Sequence, residues 1–277
     1  MAFLRSGSWV IFFLALTGEA QAFRVVIDPG HGGINSGTSY LGPQGRLLEK
    51  DLTLKLSRQV AYQLRSQGFQ VHLTRTTDQD VPLAERTAFA NRLKADVFLS
   101  LHLNSAPTDH PTEAGGVETF ILNNATDASS RRLAELENTL ISENPDPSPE
   151  QADVALILKD LRLDANLTQS KSLACLVQNA LVSHSPRHFP LRKNRGVKQA
   201  LFHVLLGADM PSILVEVGFL SHASDRTYLL SPKGQNAISR AIAQAVQLYK
   251  TYQESPNPRT HQRAFSRALK INNCKIN

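Results

Sequence analysis

Two hydrophobic rhythms alternate along this chain, and together they predict its elements. Phe23-Arg24-Val25-Val26-Ile27 is short, β-branched and apolar, and Asp28-Pro29-Gly30 stops it, so it reads as a buried strand. Residues 31–47 are rich in Gly, Ser and Asn, contain Pro43, and read as a loop. From Glu49 to about Ser66, Leu52, Leu56, Val60 and Leu64 recur at every fourth position and make the apolar face of a helix, with Gly68 where a C-cap belongs. Phe69–Thr74 alternates like a strand, Leu83–Leu93 reads as a second helix, and Val97–His102 and Val117–Leu122 as further strands. This rhythm predicts a single α/β domain with a mostly parallel central sheet and helices on both faces. In such sheets chemistry collects at the carboxyl ends of the strands. His31 lies just past the first strand and His102 at the end of the third.

The rhythm then breaks. Residues 123–170 carry a polar helix, Ser129–Ile141, then Pro145, Pro147 and Pro149, then a helical stretch from Gln151 to Ala165. With no strand signal in it, this span reads as a helical insertion. Leu173–Val182 is expected to be a helix with Leu173, Leu176, Val177 and Leu181 inward, Val197–Leu205 to be extended, and Pro211–Gly218 to be the last core strand. Ile238, Ile242, Ala245, Val246 and Tyr249 mark a terminal amphipathic helix in a catalytic domain expected over 23–252. Residues 253–277, with Arg259, Arg263, Arg267, Lys270 and Lys275, read as a basic mobile tail.

Residues 1–22 fit a secretory signal peptide: Arg5, the apolar run Trp9–Leu16, then Ala20-Gln21-Ala22. The run is far shorter than the ~20 residues of a spanning helix, and no later segment is long and apolar enough, so no transmembrane segment is expected in the mature chain. Cys175 and Cys274 are the only cysteines. One bridge between them is compatible with an exported chain, and a thiolate metal site is not expected. The net charge of +6 favours an anionic polymer or surface. Basic residues interleaved with aromatics are absent, so nucleic acid is not the expected partner.

A catalytic zinc commonly takes three ligands from His and carboxylates and keeps one position for water, which a nearby Glu deprotonates. His31, in Asp28-Pro29-Gly30-His31-Gly32-Gly33, Glu49 at a helix start, His102 at a strand end and Glu216 meet that description. Read alone, His31 fits a solvated turn, Glu49 fits the helix dipole, and His102 fits a core histidine. Glu216 stands in an apolar strand, where an unpaired carboxylate is costly.

Four motifs in order, Asp28–Gly33, Glu49-Lys50-Asp51, Ser100-Leu101-His102-Leu103-Asn104 and Val215–Ser221, resemble the zinc-dependent N-acetylmuramoyl-L-alanine amidases of the amidase-3 family of cell-wall hydrolases. The resemblance runs from Phe23 to about Lys250. It implies one zinc ion and cleavage, in peptidoglycan, of the amide between the lactyl group of N-acetylmuramic acid and L-alanine. Carried over by motif, His31, Glu49 and His102 bind zinc and Glu216 is the base. Arg75 and Arg86 are expected to have structural roles, and Asn104 is a candidate donor to substrate. The 123–170 insertion resembles the regulatory insert of cell-division amidases, which implies a periplasmic enzyme, an activator protein and an inhibitory ligand, Glu137 before Glu135. Two other classes stay open: a zinc peptidase acting on stem peptides, and a non-catalytic peptidoglycan-binding module.

Overall fold

The computed structural model describes residues 22–43, 45–106, 114–125, 127–139, 160–184, 193–255 and 274. Nearly all of the expected signal peptide and the middle of the expected insertion lie outside these residues. In chain order the elements are β1 (Arg24–Pro29), β2 (Ser39–Gly42), β3 (Gly45–Leu48), α1 (Glu49–Arg65), β4 (Gln70–Leu73), α2 (Leu83–Arg92), β5 (Val97–Asn104), β6 (Val117–Leu122), α3 (Ala128–Thr139), α4 (Asp160–Ser183), β7 (Asn194–Ala200), a 3₁₀ turn (His203–Leu205), β8 (Ser212–Phe219), α5 (Ala223–Leu230) and α6 (Pro232–Glu254). Six strands form one sheet in the order β4-β1-β5-β8-β6-β7. The first four run parallel; β6 is antiparallel to β8, and β7 follows β6.

Helices cover both faces, as the rhythm predicts. Val60 and Leu64 of α1, Leu173 and Val177 of α4, and Ile242 and Val246 of α6 pack on Val25, Ile27, Leu99 and Val215. On the other face Ala90 of α2, Ala134 of α3 and Leu205 of the turn pack on Val26, Phe98, Phe120 and Leu214. Strands buried on both faces read as nearly unbroken apolar runs, and all eight residues of β5 are buried. The polar exceptions share one face. Side chains alternate along a strand, so Asp28 follows Val26, Ser100 and His102 follow Phe98, Glu216 follows Leu214, and Glu118 precedes Phe120. The register then sets Asp28 beside Ser100, and His102, Glu216 and Glu118 in one row across β5, β8 and β6.

Several boundaries differ from expectation. The 31–47 loop contains the β2–β3 hairpin, whose pairs Ser39–Leu48 to Gly42–Gly45 are local and mostly half-exposed, so no hydrophobic signal marks them. The upper limit expected for the insertion, residue 170, falls inside one continuous helix, α4, because the polar stretch before Leu173 extends the same helix. Extended structure ends at Ala200, not Leu205, and α5 follows the last strand although its short sequence gave no periodic signal. α6 runs to Glu254, past the limit of 252 expected for the domain, and Cys274 is disulfide-bonded to Cys175 of α4; apart from Ser255 and Cys274, the expected tail beyond this helix lies outside the described residues. Among the described residues no helix is long and apolar enough to cross a membrane.

Two buried arginines brace the loop after β1. Arg86 Nη1 donates to Asp28 Oδ1 at 2.9 Å and to the Pro29 carbonyl, and Nη2 donates to the His31 carbonyl. Arg75 donates to the carbonyls of Pro29, Gly30 and Lys50. Burial alone would raise the Asp28 pKa, but Arg86 and the hydroxyls of Thr74 and Ser100 outweigh it and hold it below its ordinary value. Removing one partner of a buried pair leaves the other charge uncompensated. Asp28→Ala is therefore expected to lower stability by about 3–5 kcal/mol in denaturant unfolding. A loss below about 1 kcal/mol would show that Arg86 keeps its place through carbonyls alone.

Candidate metal centre

Three elements deliver the predicted ligands to one point. His31 follows β1 in a left-handed conformation, φ 61°, with its ring centre 4.7 Å from that of His102. Such strain in a non-glycine residue persists where the surroundings fix it, here the two arginines. Glu49 is the first residue of α1, directly after the hairpin, and is fully buried. His102 sits near the end of β5. Two glycines make room for this: a Cβ on Gly30 would lie 2.6 Å from the His102 ring, and one on Gly37, itself at φ +63°, would lie 2.5 Å from both the Glu49 carboxylate and the His31 ring. The glycine-rich sequence thus serves close packing of the ligand side chains themselves.

The geometry is compact. Glu49 Oε1 lies 3.0 Å from His31 Nε2 and 3.1 Å from His102 Nδ1. Glu137 Oε2, from α3, lies 3.3 Å from each of the same nitrogens. All four ligand atoms fall within 4.8 Å of one another. His31 Nδ1 is 3.0 Å from Asn35 Oδ1, which also accepts from the Gly37 amide, so Nδ1 donates there and Nε2 is the nitrogen that faces the cluster. Glu49 accepts from the amides of Thr38 and Leu103, each at 2.8 Å. His31 Nε2 and His102 Nδ1 are buried without a hydrogen-bond partner. Tetrahedral coordination at about 2.0–2.1 Å sets ligand atoms about 3.3 Å apart, and the donor set of two imidazoles and carboxylates suits a small divalent cation such as zinc. The residues present therefore fit a metal.

Glu216 is fully buried, and neither of its oxygens has a partner. Burial raises its pKa well above the ordinary carboxylate value, and Glu49, Glu137 and Glu118 push in the same direction. Burial works against the charged form of His31, yet Glu49 and Glu137 beside it raise its pKa to about 9 in the metal-free protein. A cation must displace that proton below about pH 9, so metal affinity is expected to fall about tenfold per pH unit as pH is lowered, with proton release in calorimetry. An affinity that stays flat between about pH 6 and pH 8 would place the metal elsewhere.

Glu135, the alternative to Glu137, lies on an exposed part of α3, away from the cluster. Asn104 turns its amide onto Glu118 Oε1 and lines the adjoining cavity. Sequence reasoning missed Asn35 and Glu118. The signal for Glu118 was present: like Glu216, it is a carboxylate inside an apolar strand. It is 2% exposed and accepts from Arg195 Nε at 3.0 Å and Lys198 Nζ at 2.7 Å.

A family model described as N-acetylmuramoyl-L-alanine amidase matches residues 25–248. Among curated relatives, the amidase AmiC of Neisseria meningitidis is 34% identical over 81% of this chain, and AmiA of Escherichia coli is 31% identical over 81%. The chain spans 52% of the first of these proteins and 75% of the second. Two solved structures superimpose: an N-acetylmuramoyl-L-alanine amidase of Clostridium difficile (TM-score 0.61, 30% identity, 85% of this chain and 99% of that one) and AmiC2 of Nostoc punctiforme (TM-score 0.59, 31% identity, 83% and 97%).

Proposed function

Because this chain belongs to the N-acetylmuramoyl-L-alanine amidase family, we propose that it is a zinc hydrolase cutting the amide between the lactyl group of N-acetylmuramic acid and L-alanine in peptidoglycan. One observation carries the reading: two buried imidazole nitrogens, His31 Nε2 and His102 Nδ1, have no hydrogen-bond partner and converge on Glu49 and Glu137 beside the fully buried Glu216. His31, Glu49 and His102 hold the zinc. When bound, the ion lowers the pKa of a water and polarises the scissile carbonyl. Glu216 takes the proton from the attacking water and passes one to the leaving amine. Its burial suits this double role, because a carboxylate whose pKa lies nearer neutrality both accepts and returns a proton readily.

Glu137 gives the centre its resting state. It occupies the corner that substrate and water need, and α3, which carries it, roofs the cavity. The helix is anchored at both ends. Asp127 accepts from Ser129 and Ser130 at its start. Asn138 donates to the Leu201 carbonyl at 2.8 Å and accepts from the His203 amide at 2.8 Å at its end. An activator protein acting on residues 123–170 lifts Glu137 away. Together with a signal peptide over 1–22, this regulation supports a periplasmic address and a role in septal wall cleavage.

Mass spectrometry of peptidoglycan fragments, with zinc and with chelator, tests the activity. The expected product is free stem peptide with a new L-alanine amino terminus, lost on chelation. Cleavage inside the stem peptide would make the protein a peptidase instead.

A further inference from the structure

Resting on the amidase reading above, we propose that Arg195 and Lys198, fixed by Glu118, form a subsite that binds a free carboxylate of the peptide leaving with L-alanine. Both cations line the same cavity of about 680 Å³ as Glu137, so the pair opens onto the metal centre's own groove. That size suits a small peptide ligand.

The cluster is built, not a chance grouping of surface charge. Glu118 is nearly fully buried, and its two oxygens are divided: Oε1 accepts from Asn104, Oε2 from Arg195 and Lys198. Lys198 is itself only 8% exposed. The Arg195 guanidinium lies 5.0 Å from the centre of the Phe219 ring and the Lys198 ammonium 5.7 Å from that of Phe120, so the wall around them is apolar. Two cations thus share one nearly buried carboxylate, and along the cavity lining Arg132, Arg195 and Lys198 outnumber Glu118 and Glu137. The surplus positive charge favours a monoanion, since a buried charge is stable only when it is paired. Arg195 bonds Glu118 through Nε, and the two terminal nitrogens of a guanidinium match a carboxylate.

The sheet sets the distance. Glu118 stands opposite Glu216 on the neighbouring strand, and Lys198, paired with Phe120, is one strand further. One strand spacing of about 5 Å, with the 2.7 Å from Glu118 Oε2 to Lys198 Nζ, puts the ammonium about 8 Å from the base. An extended peptide covers that in about two to three residues. The carboxylate that the subsite takes therefore belongs to the second or third residue of the leaving peptide.

Calorimetry on the zinc-loaded full chain carrying Glu137→Ala, for access, and Glu216→Gln, to stop turnover, tests the proposal. The ligands are an N-acetylmuramoyl tripeptide with free carboxylates and its fully amidated counterpart. The free acid is expected to bind about tenfold tighter, the strength of one charge-assisted contact. Adding Lys198→Met or, separately, Arg195→Gln should reduce that preference to about twofold or less, with the amidated ligand's Kd unchanged. If Lys198→Met fails to fold, Arg195→Gln carries the test, because that side chain is 22% exposed. Equal Kd values for the two ligands would overturn the subsite. So would a preference that survives both variants, since the carboxylate would then sit on the metal, or a variant that weakens both ligands alike. Hydrolysis is measured apart, on the Glu137→Ala protein: no cleavage beside a retained binding preference overturns the amidase reading and leaves the subsite standing.

Discussion

Glu216→Gln is expected to lower hydrolysis by about 10²–10⁴-fold, the usual worth of a positioned general base, without loss of the bound metal. Glu216 lies outside the group of four ligand atoms, so its neutral replacement leaves them in place. The same substitution is expected to stabilise the metal-free protein. Burial, then Glu49, Glu137 and Glu118, hold the folded-state pKa of Glu216 above its ordinary 4.5. Above that value the unfolded chain releases its proton while the folded protein keeps it, so stability falls as pH rises toward the folded pKa. Glutamine carries no such penalty. In chelated protein, Tm should match wild type near about pH 4 and exceed it near about pH 8. A variant that is less stable at both, and that has lost metal, would make Glu216 a structural residue and leave the enzyme without a base.

Glu137→Ala is expected to raise activity on the order of 10–100-fold, a normal size for a coupling between a regulatory element and a site. The same change should weaken metal binding, because Glu137 Oε2 stands 3.3 Å from both imidazole nitrogens, where a fourth ligand would lie. Opposite movement of the two quantities separates release of inhibition from general loosening. Removing residues 129–165 outright would be a poorer test. Ala134 and Ser130 of α3 are buried against the sheet, and α4 begins at Asp160, so the deletion cuts into the core. Unchanged turnover together with unchanged metal affinity would mean that Glu137 merely rests beside the site.

Much of this was legible in the residues. The period-four leucines of α1 and the apolar runs of β1, β5 and β8 specified helices and buried strands, because burial on one helix face or on both sheet faces leaves a direct mark on the hydrophobic pattern. Glu216 within an apolar strand was visible for the same reason, since it breaks the pattern that burial demands, whereas His31, Glu49 and His102 were picked out by the resemblance of their motifs. Glu118 broke it too and was passed over, because nothing local distinguishes a carboxylate that faces a neighbouring strand's base from one satisfied at random. The β2–β3 hairpin and α5 were hidden, being short and held by local backbone bonds.

What the chain alone determined was therefore which elements form, which of their faces are buried, and which few polar residues stand where burial is costly. What only the tertiary structure decided was who meets whom. The reversed direction of β6 set Glu118 opposite Glu216, the left-handed turn at His31 aimed its ring at His102, and the docking of α3 chose Glu137 over Glu135. Those meetings depend on strand order, register and helix docking between residues far apart in sequence, and hydrophobic periodicity records how deeply a residue is buried but not against which partner.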